Sequence, residues 1–534
     1  MSDLTPKHLP LLAGTLVLLG AGAVADDWPT WGRDQTRNSW SPETGLVNDF
    51  VAGKFIGATD EIDVTTTQNV KWIAKLGSQS YGNPTIANGR VYVGTNNDVP
   101  RDEKYKGDRS CVYCLDEETG ELIWQLNIPK LGTGKVSDWE YLGICCSPAV
   151  DGDRVYIVTN RCEVMCLDVN GMADGNDGFQ DEGLYAAWPA TEPMEVSETD
   201  ADIIWSLNMI DECGVFPHNI TSSSILVVGD RLWVSTSNGV DYGHVETPAP
   251  FAPALILVDK NTGELLGEEA SGLSQRIYHC TWTSPAYLET TREVEVDGET
   301  RTESLELCIY GGPDGWVYAF HPDPVEDEDG YMILQEAWRF DANKPEYRTD
   351  EDGKPRKYAT RMGPSEVLGT PMVHDGIVYA VIGQDPEHGE GVGNMVCIDP
   401  WGAGDVTKTH QIWSFDGINR SLSSLALADG LLYAADFSGF VYCMDAATGE
   451  QIWRHDTMGH IWSSPLLADG KLYIGNEDGY MSIIPAGREY DKKAVAEIDM
   501  TSPIYSSAVA ANGVLYVASH THLFAIAETG EQER

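Results

Sequence analysis

Ser464-Pro465-Leu466-Leu467-Ala468-Asp469-Gly470-Lys471-Leu472-Tyr473-Ile474-Gly475 holds two short apolar runs on either side of an Asp-Gly pair. Asp-Gly between apolar runs is a hairpin signal, because both turn positions need positive φ, so the stretch reads as strand, tight turn, strand. It is the clearest of eight copies; the others begin near Asn83, Ser147, Ser224, Ser284, Thr370, Ser424 and Ser507. Each copy continues through a third run ending in Asp and then, in the fullest copies, Thr-Gly-Glu and a fourth run marked by tryptophan. Trp124 follows Thr119-Gly120-Glu121, Trp453 follows Thr448-Gly449-Glu450, and Trp205, Trp338 and Trp413 hold the same place, with Leu266 and Ile498 substituting in two units. A four-stranded unit this small cannot bury both faces by itself, so the units must stack on one another.

Eight such units predict an all-β chain forming a single eight-bladed β-propeller of four-stranded antiparallel blades. The eighth unit stops at Thr529-Gly530-Glu531, short of a fourth strand, while Asn69-Val70-Lys71-Trp72 stands alone ahead of the first unit. Supplying the missing strand from the N-terminal side closes the ring and removes an exposed edge. The expected organisation is a signal peptide over 1–25, an N-terminal extension over 26–65 and the propeller over 66–534.

The signal peptide rests on Lys7 and His8, the apolar run Leu9 to Ala25, and the small-residue site Ala23-Val24-Ala25 before Asp26. No run later in the chain is long and apolar enough to cross a membrane as a helix, and no cysteine adjoins the cleavage site to carry a lipid. A periplasmic or secreted protein is expected. With 83 acidic against 35 basic residues the formal charge is −48, which excludes nucleic acid as a partner class, since phosphate recognition needs a basic footprint. Two readings of the acidity stand, a solvating surface and a cation-binding one.

The Ser-Pro-x-x-x-Asp-Gly and Thr-Gly-Glu-x-x-Trp signatures resemble the pyrroloquinoline-quinone (PQQ) repeat propellers over about residues 66–530. That resemblance implies one of two functions. One branch, the quinoprotein alcohol dehydrogenases, binds PQQ with Ca²⁺ or a lanthanide on the propeller axis. The other, similar to the assembly lipoprotein BamB, keeps the fold and binds protein partners without a cofactor.

Aligning the units places Tyr81, Cys145, Ser222, Trp282, Leu368, Leu422, Trp462 and Tyr505 two residues ahead of each unit, where they should ring one end of the axial channel. Half are aromatic, which suits stacking on a flat ligand; the same residues would equally plug the channel. Tyr81, Trp282, Trp462 and Tyr505, with Cys145 and Cys146, are the candidate cofactor-binding residues. The resemblance implies a vicinal Cys145–Cys146 disulfide over the cofactor, whereas separate thiols are the alternative. It also implies Asn238, in Ser235-Thr236-Ser237-Asn238-Gly239, as a metal ligand through its amide oxygen; a hairpin turn accounts for the same residues. Where the dehydrogenases place a catalytic Asp, this chain has Pro248, so a base for alcohol oxidation is missing.

Cys111 and Cys114 form a Cys-x-x-Cys pair, but Cys114 shares its strand position with Cys166, Cys397, Cys443 and Ala319, which indicates a small buried slot. Gln384-Asp385-Pro386-Glu387-His388-Gly389-Glu390-Gly391 is a polar loop that could hold a divalent cation, or simply turn and solvate. Arg276, Arg361 and Arg420, near inner-strand mouths, could meet PQQ carboxylates or equally form ordinary surface ion pairs. The expectation is therefore an exported, non-catalytic binding or assembly scaffold of the cell envelope, taking a protein partner or a small flat ligand on the axis; the alternative is a PQQ- and Ca²⁺- or lanthanide-dependent dehydrogenase.

Overall fold

The computed structural model describes residues 26–529, and the predicted signal peptide lies outside them. Eight antiparallel sheets follow one another in the chain. Blade 1 shows the pattern: Thr85–Ala87 innermost, then Arg90–Asn96, Arg109–Asp116 and Leu122–Pro129 outermost. The Asp-Gly turns behave as their chemistry requires, with φ of 49° at Asp469 and 69° at Gly470. Blade 8 is completed from the other end of the chain, Val70–Lys75 pairing antiparallel with His522–Ile526. Two blades are widened: Val325–Glu326 and Met332–Leu334 add to blade 3, and Gly404–Asp405 adds to blade 4. In blade 4 the strands Ala286–Val296 and Glu299–Gly311 run on as a long ribbon exposed at its tip.

The tryptophan signature turns out to be a joint between blades. Five of these indoles reach across to the following blade and donate their N–H to a carbonyl there: Trp72 to Glu117 at 2.9 Å, Trp124 to Val169 at 2.8 Å, Trp205 to Lys260 at 3.2 Å, Trp413 to Ala446 at 2.9 Å and Trp453 to Gly487 at 2.8 Å; the indole N–H of Trp338 is buried without such a partner. The glycine of Thr-Gly-Glu lies beneath the ring. A Cβ added at Gly120, Gly263 or Gly449 would sit 2.6 Å from the indole of Trp72, Trp205 or Trp413 respectively. The Asp that ends the third strand fixes this turn, as Asp116 accepts from the Glu118 and Thr119 amides and the Thr119 hydroxyl. Apolar residues of adjacent blades then close into continuous clusters, such as the one joining Val91 and Tyr113 of blade 1 to Val517 and Phe524 of blade 8.

The N-terminal segment is a belt. It runs over the face at the C-terminal ends of the inner strands and touches every blade. Trp28 exchanges backbone hydrogen bonds with Ile86 (blade 1), Pro29 accepts from Val150 (blade 2), Gln35 from Tyr287 (blade 4) and Thr36 from Val373 (blade 5). Asn38 brackets Leu427 (blade 6), Ser39 and Ser41 pair with Leu467 (blade 7), and the Ser41 hydroxyl donates to Ala510 (blade 8). Arg37 supplies blade 3: its fully buried guanidinium donates to the carbonyls of Ile225, Pro285 and Trp31. Burial among carbonyls lowers its pKa to about 10, so it remains a cation.

Candidate functional site

A belt of hydrogen bonds lines the axis. In six of the eight units the first residue of the inner segment donates its amide to the side chain of the next: Ser147 to Ser224, Ser224 to Ser284, Thr370 to Ser424, Ser424 to Ser464, Ser464 to Ser507, and Ser507 to Asn83. Asn83 Nδ2 returns to Ser147 Oγ at 3.1 Å. At Thr370 the hydroxyl instead receives the indole N–H of Trp31 at 3.0 Å, which brings the belt's tryptophan onto the axis and stoppers that end.

Toward the opposite face the eight predicted mouth residues, Tyr81, Cys145, Ser222, Trp282, Leu368, Leu422, Trp462 and Tyr505, all line one axial cavity of about 220 Å³ together with Trp31. A second cavity of about 360 Å³ continues outward from Tyr81, Cys145, Ser222, Trp282 and Trp462 to Trp139, Leu142, Asp385 and Glu387. The aromatic residues are unevenly placed. Trp462 and Tyr505 stack at 4.5 Å with 14° between planes, and Tyr81 meets both at 6.2 and 5.2 Å. Trp282 stands apart from that trio, held edge-on by His279 at 5.1 Å. The result is an aromatic wall, a hydroxyl-lined floor and two carboxylates at the mouth.

The two adjacent cysteines separate. Cys145 faces the cavity, whereas Cys146 is buried in the cluster between blades 1 and 2 with Sγ 3.3 Å from the Val158 carbonyl. No disulfide joins them, and all eleven cysteines are free among the described residues. Of the two arrangements expected for the pair this is the one with separate thiols, and Cys145 rather than Cys146 borders the cavity, because consecutive side chains on an extended segment point to opposite sides.

Asn238 lies among the segments beside the funnel. It is fully buried, its Oδ1 accepts from the Phe216 amide at 2.9 Å, and its Nδ2 donates to the Ala249 carbonyl and Ser274 Oγ. These bonds engage the amide oxygen expected as a metal donor with the Phe216 amide. Asn238 acts as a bracket for the segments around it.

What Asn238 and its neighbour bracket is a group of histidines that sequence reasoning did not single out. Gly239 pairs with Cys280 and Asn238 with Pro217, drawing His218 and His279 together; a Cβ at Gly239 would lie 2.5 Å from His218 Cβ and 2.7 Å from the His279 carbonyl. His244 arrives from the exposed loop after blade 3's second strand, where Asp241 Oδ1 accepts from the Val245 amide. Ring centroids lie 4.5 Å apart for His218–His279, 4.9 Å for His244–His279 and 5.0 Å for His218–His244. The polar loop 384–391 closes this group, with Asp385 Oδ2 3.8 Å from His279 Nε2 and the His388 ring 5.9 Å from His279. Burial holds the imidazoles of His218 and His388 neutral, their pKa values lowered to about 4, and pushes that of His279 down as well. Burial also raises the Asp385 carboxyl to about 6. The three histidines lie 26 and 35 positions apart and match no spacing motif; the polar loop beside them was the only local signal.

A family model described as outer membrane protein assembly factor BamB matches residues 70–277 and 401–493. The chain belongs to this BamB-like family of PQQ-repeat propellers. Similar solved structures include BamB from Moraxella catarrhalis, at 13% identity and a TM-score of 0.49 over 87% of this chain and 98% of that one. A europium-containing methanol dehydrogenase gives 11% and 0.48 over 92% and 90%. The quinohemoprotein alcohol dehydrogenase of Comamonas testosteroni gives 11% and 0.43 over 96% and 82%. No curated protein is significantly similar in sequence.

Within this BamB-like propeller the axial residues do not fit PQQ. The three carboxylates of that cofactor need cations, and among the described residues no lysine or arginine lines either cavity. Arg276 is paired with Asp314 and Tyr318, and Arg420 is committed to the carbonyls of His388, Gly389 and Thr360. Arg361 is exposed. Asp385 and Glu387 at the mouth add charge of the wrong sign.

Proposed function

We propose that this protein is an exported, non-catalytic binding propeller of the cell envelope that uses the axial funnel to dock a flat neutral or cationic group of a protein partner. The observation that carries the reading is the pairing of the stacked Trp462–Tyr505 wall with the Asp385 and Glu387 carboxylates at the mouth. Aromatic faces and nearby carboxylates together favour an arginine, lysine or aromatic side chain and oppose a polyanion. Docking into a pocket buries an anchor residue, which is how a small site can dominate a larger interface.

The test is site-specific photo-crosslinking from position 387 in cells, paired with thermal unfolding of the purified mature protein in PQQ plus Ca²⁺ or a lanthanide. The expected result is a discrete crosslinked envelope protein that Trp462→Ala abolishes, with no saturable shift from PQQ. A saturable PQQ shift weakened by both Trp282→Ala and Trp462→Ala would overturn the proposal in favour of a cofactor-binding propeller.

A further inference from the structure

Beside the funnel, His218, His244 and His279 present three imidazoles whose donor atoms all lie within 4.8 Å of one another. Two of these rings are buried, and each has one nitrogen without a partner. His218 Nδ1 lies 2.6 Å from the Val240 carbonyl, which fixes the proton on that nitrogen and leaves a lone pair on Nε2. That Nε2 is buried and has no partner. His279 Nδ1 is likewise buried and unpartnered, as is His388 Nδ1. Orphaned nitrogens in a protein interior are costly, and here they belong to rings packed side by side in one group.

The surroundings match a metal centre more closely than a packed core. A ligating histidine ordinarily donates its second N–H to a carbonyl or carboxylate, which orients the ring. The Val240 carbonyl does this for His218, and Asp385 stands 3.8 Å behind His279 Nε2. Gly239 admits the two buried rings to one another only because it lacks a Cβ. The remaining adjustment is small. Zinc–nitrogen bonds of about 2.0–2.1 Å in a tetrahedral site set nitrogen pairs about 3.3–3.4 Å apart. His244 belongs to an exposed loop that can supply the closure.

We infer that His218, His244 and His279 bind one divalent transition-metal ion of the zinc class, with Asp385 orienting His279 and the His388 ring beside them. Neutral imidazoles select such an ion over Ca²⁺ or Mg²⁺, which take oxygen ligands. The inference is independent of what docks in the funnel. It adds a metal to the funnel's outer wall, since Trp282 and Asp385 belong to both.

The test uses purified mature protein stripped with a chelator and titrated with Co²⁺, then Zn²⁺, in excess Ca²⁺ and Mg²⁺ to occupy the acidic surface. One equivalent of Co²⁺ per chain should give the visible absorption of a low-coordinate nitrogen site, and Zn²⁺ should displace it. His244→Ala should weaken binding at least about tenfold while leaving the fold intact, because His244 is exposed. His279→Gln and Asp385→Asn should weaken it in turn. Native protein without the visible band, or a band and affinity unchanged in His244→Ala, would overturn the inference.

Discussion

Trp72 lies on Gly120 with its indole N–H bonded to Glu117 O at 2.9 Å, so that a strand from the N-terminal side both completes the last blade and locks it to the first. Gly120 has φ of +72° and no room for a Cβ. Gly120→Ala should therefore destabilise the protein by about 2–4 kcal/mol through backbone strain and overpacking. Trp72→Ala should cost about 3–5 kcal/mol by leaving a cavity at the joint. Urea unfolding of both variants checks this, and a wild-type midpoint for either would remove the joint from the account of ring closure.

The belt makes a separate claim on Arg37. Arg37→Ala leaves the carbonyls of Ile225, Pro285 and Trp31 buried without a donor, at a cost of about 3–5 kcal/mol. Arg37→Lys should fail to rescue, since an ammonium cannot span the same fork of acceptors. Limited proteolysis should cut both variants within residues 28–46 before the blades are attacked; an intact belt in either would contradict the role.

Acid sensitivity should centre on the closing strand. His522 is buried between Phe55 and Phe524, with Thr521, Lys75, Asp60 and Glu61 as its polar neighbours, and burial lowers its pKa from 6.5 to about 4. The unfolded chain takes up a proton near pH 6.5 that the folded chain refuses. The associated stability is thus full above pH 6.5 and is lost as pH falls toward 4, by up to about 3 kcal/mol. His522→Gln should flatten that part of the pH–stability curve measured by urea unfolding. A slope identical to the parent's would show that other groups govern it.

Free thiols are the expected state of all eleven cysteines. Alkylation in denaturant without reductant should add eleven labels by mass. In the native state labelling should be slow even at Cys145, whose thiol is pushed up to about 12 by burial. Two missing labels mapping to Cys145 and Cys146 would restore the vicinal disulfide.

The parts legible in the sequence were those the repeat writes eight times. Asp469-Gly470 and its counterparts give the turns, and alignment of the units places Tyr81, Trp282, Trp462 and Tyr505 around one cavity without reference to coordinates. The tryptophans were visible, but their partner was not, because the receiving glycine belongs to the next unit. The bracketing role of Asn238 was not legible, since an amide that binds metal and one that brackets backbone look the same in a linear chain. His218, His244 and His279 were invisible for a related reason: each sits in a different non-repeating segment, and only the pairing of Gly239 with Cys280 brings them together. The belt left no periodic trace at all, having no repeat to betray it.

That belt also acts as a measuring tape. Blades of this kind are interchangeable modules, and nothing in one blade specifies how many others should stand around it. A segment of fixed length that must greet Ile86 at one end and Ala510 at the other fits a circumference of eight and no other. A duplicated or deleted blade would leave its carbonyls and amides out of step with the tape, so the copy number of a modular architecture is written here in a stretch of chain that contains no module.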